Sequence, residues 1–167
     1  VLSLPEDMLS AKAEVIDAKP SRPAEQMVSH KRVGDVIDRL KIARDPFVIV
    51  GGGGWSQEAA DHLCRFASAL GLPVGASFRC QDYLDNRHPN YVGDVGIAPN
   101  PDLEERVKKS DCILILGARL GEMTTSSYSL LDIPNPSQCI LHVHADPNEI
   151  GRVYRPQIGL ACKAADF

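Results

Sequence analysis

The feature that most constrains the fold is an apolar run that leads directly into four consecutive glycines. Residues 47–50, Phe-Val-Ile-Val, include three β-branched side chains and predict a strand buried on both faces. The glycines at 51–54 allow a sharp turn, because no Cβ obstructs the backbone. Apolar residues then recur at helical spacing, at Ala59, Ala60, Leu63, Ala67 and Leu70. This stretch therefore predicts a strand, a glycine turn and a helix.

The rest of the chain alternates between strands and helices in the same way. Five further apolar runs predict strands at residues 74–77, 91–93, 112–116, 139–144 and 158–162. Helices are predicted at 31–44 and after Asn100, which precedes a proline as helix caps often do. The secondary structure of residues 123–131 is ambiguous, and a short helix is one interpretation. Together these elements predict a Rossmann-like three-layer α/β/α fold around a six-stranded, mostly parallel sheet.

Composition excludes several classes of function. The net charge is −4 and no segment concentrates lysine and arginine, which argues against a nucleic-acid partner. No apolar run is long enough for a membrane span, and no signal peptide is visible. The five cysteines are scattered and form no C-x-x-C pair, which predicts reduced thiols and a cytoplasmic protein.

The glycine turn fits a dinucleotide-binding fingerprint only in part. Gly51 and Gly53 match its first two glycines, but Ser56 stands at the third. Phe78 and Arg79 follow the second strand, where an acidic residue would bind the ribose of NAD. Classical NAD binding is therefore disfavoured. Two interpretations stay open: a turn needed for close strand–helix packing, or a contact to a phosphate or nucleotide.

Three other residues are candidates for a site at the carboxyl edge of the sheet. Arg119 follows the strand at 112–116, where a guanidinium would suit either a phosphate or an ion pair. His142 and His144 are two apart on a strand and should share a face. No third ligand can be named beside them, so the sequence predicts no metal site, and it contains no recognisable catalytic constellation.

The beginning of the chain predicts a piece of a longer protein. It starts with valine rather than methionine, and residues 1–4 alternate like a strand with no neighbour to pair with. Two prolines within residues 19–23 predict a linker.

Four motifs, in order, resemble those of one family. They are residues 47–53; His88-Pro89 with Tyr91-x-Gly93-x-x-Gly96; Ser110-Asp111-x-Ile113-Leu114-x-Leu116-Gly117-x-Arg119; and His142-x-His144-Ala145-Asp146-Pro147-x-Glu149-Ile150-Gly151. The chain resembles the central domain of thiamine-diphosphate-dependent enzymes of the acetolactate synthase type. The resemblance implies that residues 1–22 end a preceding pyrimidine-binding domain and its linker, and that residues 23–167 form the central domain.

In this family the domains on either side hold thiamine diphosphate and Mg²⁺. The first supplies a glutamate, and the last carries a Gly-Asp-Gly motif with a downstream asparagine. This chain has Gly93-Asp94-Val95 instead. The resemblance therefore implies a non-catalytic domain of a transferase or lyase that makes or breaks a carbon–carbon bond in 2-oxo acids. The partners implied are the flanking domains and, in the parent enzyme, a homodimer or homotetramer.

The resemblance also bears on the glycine turn, because family members bind FAD or ADP in this domain. The matching positions here are Gly51, Gly52, Gly53, Gly117, Ala118, Arg119, Glu149 and Ile150. Two departures from the family pattern, His144 and the run Gly121-Glu122-Met123, favour a scaffold without nucleotide. The alternative is an independent module that binds FAD or ADP.

Overall fold

The computed structural model of the chain describes residues 3–21 and 26–167. In that part of the chain all six predicted strands are present: β1 (Pro46–Val50), β2 (Val74–Ser77), β3 (Tyr91–Val95), β4 (Cys112–Leu116), β5 (Cys139–His144) and β6 (Ile158–Ala161). Four α-helices accompany them: α1 (Glu6–Leu9), α2 (His30–Ile42), α3 (Gln57–Leu70) and α4 (Pro101–Lys109). The predicted alternation of strands and helices is confirmed.

The strands form one sheet in the order β3-β2-β1-β4-β5-β6, and every pairing is parallel. Alternate residues of β1 point to opposite faces. Val48 and Val50 pack in one cluster with α2 and α3, and Phe47 and Ile49 in another with α4. The three-layer prediction is therefore confirmed. The order of strands reverses between β1 and β4, which is where ligands bind in open sheets of this kind.

Side-chain caps define where the longer helices begin. The hydroxyl of Ser29 accepts from the backbone N–H of Arg32, and that of Ser56 accepts from Ala59. The Asn100 side chain accepts from the N–H of Asp102, as the Asn-Pro pair predicts. These caps satisfy backbone donors that helix geometry leaves without a partner.

The segment before α2 makes little contact with the sheet. Leu4, Met8 and Ile16 are 64%, 60% and 97% exposed. Ser3 and Leu4 have no regular structure and pair with no described strand, and Val1 and Leu2 lie outside the described residues. Since the strand predicted at residues 1–4 would pair within a preceding domain, it stays a prediction. Of the predicted linker, residues 19–21 have no regular structure, and Arg22 and Pro23 also lie outside. The division into two domains stays a prediction.

Asp111, directly before β4, forms hydrogen bonds with the loop that leads into β1. Its carboxylate accepts from the backbone N–H of Arg44 at 2.8 Å and from that of Asp45 at 3.1 Å. These hydrogen bonds, the one from Arg44 above all, lower the pKa of Asp111 from its usual 3.8.

Replacing Asp111 with alanine is expected to lower the free energy of unfolding by about 1 kcal/mol at neutral pH, the low end for such bonds because Asp111 is exposed. Since folding lowers its pKa, the stabilisation is complete above the unfolded value and lost as pH falls through the folded one. Urea titrations at neutral pH and near pH 3 would measure this. Asp132→Ala, at an exposed carboxylate, is the control; an equal loss in both variants would contradict the prediction.

Candidate functional site

The turn after β1 packs directly against the turn after β4. Gly52 has φ = +73°, and a Cβ there would overlap the carbonyl oxygen of Gly117. Gly117 has φ = +77°, and a Cβ there would lie 2.5 Å from the carbonyl oxygen of Gly51. A Cβ on Gly51 would overlap the Ser77 hydroxyl. These glycines are therefore required by the close approach of two loops, at the point where the strand order reverses.

Two aromatic side chains bind the carbonyl groups of this turn. Trp55 Nε1–H donates to Gly51 O at 2.9 Å, and the Tyr83 hydroxyl donates to Gly52 O at 2.5 Å. The two rings are stacked, with centroids 4.8 Å apart. Burial raises the pKa of Tyr83 to about 12, so the phenol keeps the proton that it donates. This pair was not predicted from the sequence, because the two residues are 28 positions apart and no local pattern joins them.

A cleft of about 650 Å³ opens beside the turn, above the carboxyl ends of the central strands. Its walls come from the loops after β2 and β4 and from the turn after β5. Arg79, Arg119 and Arg152 all line it and are exposed. Arg79 lies over the Phe78 ring, 5.0 Å from its centroid.

Glu149 lies between two of these arginines. Its Oε2 is 3.0 Å from Arg119 Nε, and its Oε1 is 2.6 Å from Arg152 Nη1. The Glu149 side chain is 6% exposed, whereas those of Arg119 and Arg152 are 63% and 61% exposed. Each oxygen of a buried carboxylate therefore has its own guanidinium. Arg119 and Glu149 were predicted separately from the sequence. Arg152 was not predicted, although its position three residues after Glu149 could have suggested the pair.

The eight positions predicted to bind a nucleotide do not all line the same cleft. Gly52, Arg119 and Glu149 line the large cleft, whereas Gly53 and Gly117 line a separate hollow of about 290 Å³ with His144. Gly51 and Ala118 are buried beneath the turns. Ile150 packs against Gly159, where a Cβ would overlap its side chain. Three of the eight thus line the large cleft, while Gly51, Gly52 and Gly117 meet where the two turns pack together.

His142 and His144 lie on one face, as their spacing predicts, with ring centroids 5.9 Å apart. His142 is buried, and its Nε2 bonds to Ala118 O at 3.1 Å. Burial lowers the pKa of His142, so the ring is neutral and Nε2 carries the proton that Ala118 O accepts. Within residues 3–21 and 26–167, no group of three histidine, cysteine or acidic side chains could hold a metal ion.

The far wall of the cleft is an irregular segment rather than the short helix considered for residues 123–131. Ser126, Ser127 and Tyr128 have φ of 48°, 57° and 63°, and Tyr128 lines the cleft. Three consecutive residues in the left-handed region cannot continue a right-handed helix. That interpretation is wrong, because the loop instead closes through bonds such as Thr125 Oγ1 to Gly121 O.

Outside the cleft, Ser68 and His88 resemble a nucleophile with its base but are not one. Ser68 Oγ lies 3.2 Å from His88 Nε2. Nδ1 of the same ring accepts from the backbone N–H of Asn90 at 3.2 Å, so Nε2 must carry the proton. Ser68 in turn donates to Cys64 O at 2.8 Å. A base for Ser68 would need a free lone pair on Nε2, so this contact is structural.

The described residues contain no helix long and apolar enough to cross a membrane.

Comparison with known proteins identifies the family of the chain. Residues 33–167 match the sequence profile of the family described as thiamine pyrophosphate enzyme, central domain. The chain belongs to that family.

Among curated proteins, the chain is 24% identical to a sulfoacetaldehyde acetyltransferase of Alcaligenes xylosoxydans xylosoxydans over 95% of its own length and 26% of the relative. It is 27% identical to the acetolactate synthase large subunit of Haemophilus influenzae over 74% of its length and 21% of that protein. It is 30% identical to a 3D-(3,5/4)-trihydroxycyclohexane-1,2-dione hydrolase of Bacillus cereus over 59% of its own length and 15% of that protein. The chain thus spans about a quarter or less of these relatives.

Proposed function

We propose that this chain is the structural central domain of a larger enzyme that uses thiamine diphosphate and Mg²⁺ and acts on 2-oxo acids. The parent would be an acetolactate synthase-like carboligase or decarboxylase, a cytoplasmic homodimer or homotetramer. The match to the family profile over residues 33–167 carries the proposal. In it, the domain orients its neighbours, and the catalytic groups belong to them.

The relatives support a structural role for this domain and a catalytic role for its neighbours. Their names denote an acetyltransferase, a synthase and a hydrolase, although all three are similar to this one domain. A domain shared by enzymes of different reactions is better suited to a common structural task than to choosing the substrate.

Asp94 gives the same indication from within the chain. It is the acid of Gly93-Asp94-Val95, the nearest approach to a Gly-Asp-Gly motif. Its Oδ2 accepts from Gln81 Nε2 at 2.8 Å, within this domain. One oxygen of this carboxylate is therefore engaged inside the domain, whereas Oδ1 is buried without a hydrogen-bond partner among the described residues. Thiamine diphosphate, which supplies the carbanion-stabilising chemistry when bound, would be held by other domains.

The large cleft favours a second candidate, a nucleotide-binding module. Its volume of about 650 Å³ is in the usual range for small-molecule sites, and arginines are common partners of phosphate. The detailed contacts fit FAD or ADP poorly, however, because Arg119 and Arg152 are already paired with Glu149 and the glycine turn is occupied by the Gly117 loop. These contacts favour the scaffold.

Calorimetric titration of the 167-residue chain tests both candidates. With thiamine diphosphate and Mg²⁺, with FAD and with ADP, we expect no dissociation constant below about 1 mM. Micromolar binding of FAD or ADP would favour the nucleotide module. The complete reading frame is the second test. If it encodes no Gly-Asp-Gly segment with a downstream asparagine after this domain, the proposed enzymatic parent is wrong.

A further inference from the structure

We propose that Glu149 is a built-in counter-anion for Arg119 and Arg152, and that its carboxylate occupies the place of a bound phosphate and excludes phosphate-bearing ligands from the cleft. The inference rests on the scaffold role proposed above. Glu149 would then determine the specificity of the cleft. The three arginines that line it would by themselves predict that it binds phosphate.

The geometry of the three side chains supports this role of Glu149. The two guanidinium groups approach different oxygens of the same carboxylate, at 3.0 Å and 2.6 Å. A phosphate oxygen pair would make the same contacts to the same donors. A phosphate could therefore reach these two donors, Arg119 Nε and Arg152 Nη1, only by displacing the carboxylate from them.

Burial makes that displacement unfavourable. Because its side chain is 6% exposed, Glu149 has little water to replace the lost partners. An incoming phosphate would also bring two negative charges close to the one that is already buried there. The arginines, in contrast, are largely exposed and could turn towards solvent. The carboxylate is thus the member that holds the arrangement in place.

The two other charged residues of the cleft form no described ion pair with Glu149, Arg119 or Arg152. Arg79 enters from the end of β2 and lies over Phe78. Glu122, in the loop after β4, is exposed and lines the same cleft, but within the described residues it forms no ion pair with either arginine. Glu122 therefore provides a matched control, with the same charge and the same cleft but without the contact.

Calorimetric titration with sodium pyrophosphate at neutral pH and constant ionic strength tests the inference. Glu149→Gln removes the charge, keeps the shape and releases the arginines. We expect it to bind pyrophosphate at least about tenfold more tightly than the unmodified chain, and Glu122→Gln to stay within about threefold of it. Equal gains in both variants would show a general charge effect and overturn the inference. Tighter binding by the unmodified chain, or no gain in Glu149→Gln, would overturn it too.

Thermal unfolding of Glu149→Ala gives a second measurement, should the glutamine variant fold poorly. Alanine leaves a space between the arginines that an external anion can fill. Pyrophosphate at millimolar concentration should raise its Tm by several degrees more than that of the unmodified chain, because a ligand stabilises the state that binds it. Equal shifts would contradict the inference. Failure of the scaffold role is detected separately, from the complete reading frame: a frame without the downstream Gly-Asp-Gly segment would contradict that role and leave the comparison of Glu149→Gln with Glu122→Gln unaffected.

Discussion

Replacing Phe47 with alanine is expected to lower the free energy of unfolding by about 4 kcal/mol, the range for a fully buried aromatic side chain. Phe47 is 0% exposed and packs in the cluster that contains Val107 and Ile113. Its ring fills the space left by Gly75 on the neighbouring strand, where an added Cβ would lie 3.1 Å from it. Since Gly75 has no side chain to move into the vacancy, the cavity should stay open.

Urea unfolding measures the effect, with Ile42→Ala as the control. Ile42 loses the same kind of apolar surface but is 72% exposed in the native chain, so its change should stay within about 0.5 kcal/mol. Losses of similar size in the two variants would contradict the assignment of Phe47 to a rigid core.

Replacing Gly52 with alanine is expected to lower the free energy of unfolding by about 3 kcal/mol. Part of the loss is backbone strain, because φ = +73° is unfavourable for any residue with a Cβ. The larger part is the overlap of that Cβ with the carbonyl oxygen of Gly117, which requires one of the two loops to move.

Gly53→Ala is the matched control, one residue further along the same turn. A Cβ on Gly53 would meet no atom within 4 Å, and its φ is not in the left-handed region. This variant should unfold with a free energy equal to that of the unmodified chain or slightly higher, as alanine restricts the unfolded state. Equal destabilisation in the two variants would contradict the packing role given to Gly52.

The sequence predicted the central strands well because β1 and β4 are short apolar runs between breaking residues, whereas β3, which contains Gly93 and Asp94, was predicted only over residues 91–93. The all-parallel order of the sheet was only partly predicted, since periodicity shows which face a residue takes and not which strand lies beside it. Gly52 and Gly117 illustrate the difference: each is recognisable as a turn glycine, but their contact exists only because β4 lies next to β1.

The site was predicted less completely than the fold, for a related reason. Arg119 and Glu149 were named as members of a ligand site, whereas the structure pairs them with each other. Tyr83 was not named, because its role depends on a contact between separate loops. Arg152 was not named either, although its pairing with Glu149 is local. The left-handed residues at 126–128 carry no glycine or asparagine that would announce them. Local patterns therefore located the edge of the sheet that matters, but not how its charges are satisfied.

The pairing of β1 with β4 also has a consequence for folding during synthesis. On the ribosome, β1, α3, β2 and β3 are complete before β4 has been made, so this half of the sheet can assemble first. Until residues 112–116 emerge, the other edge of β1 exposes unpaired backbone groups beside fully apolar side chains. That edge is a template for strand addition by another chain. The nascent domain is therefore most vulnerable to aggregation in the interval before β4 takes its place at the centre of the sheet.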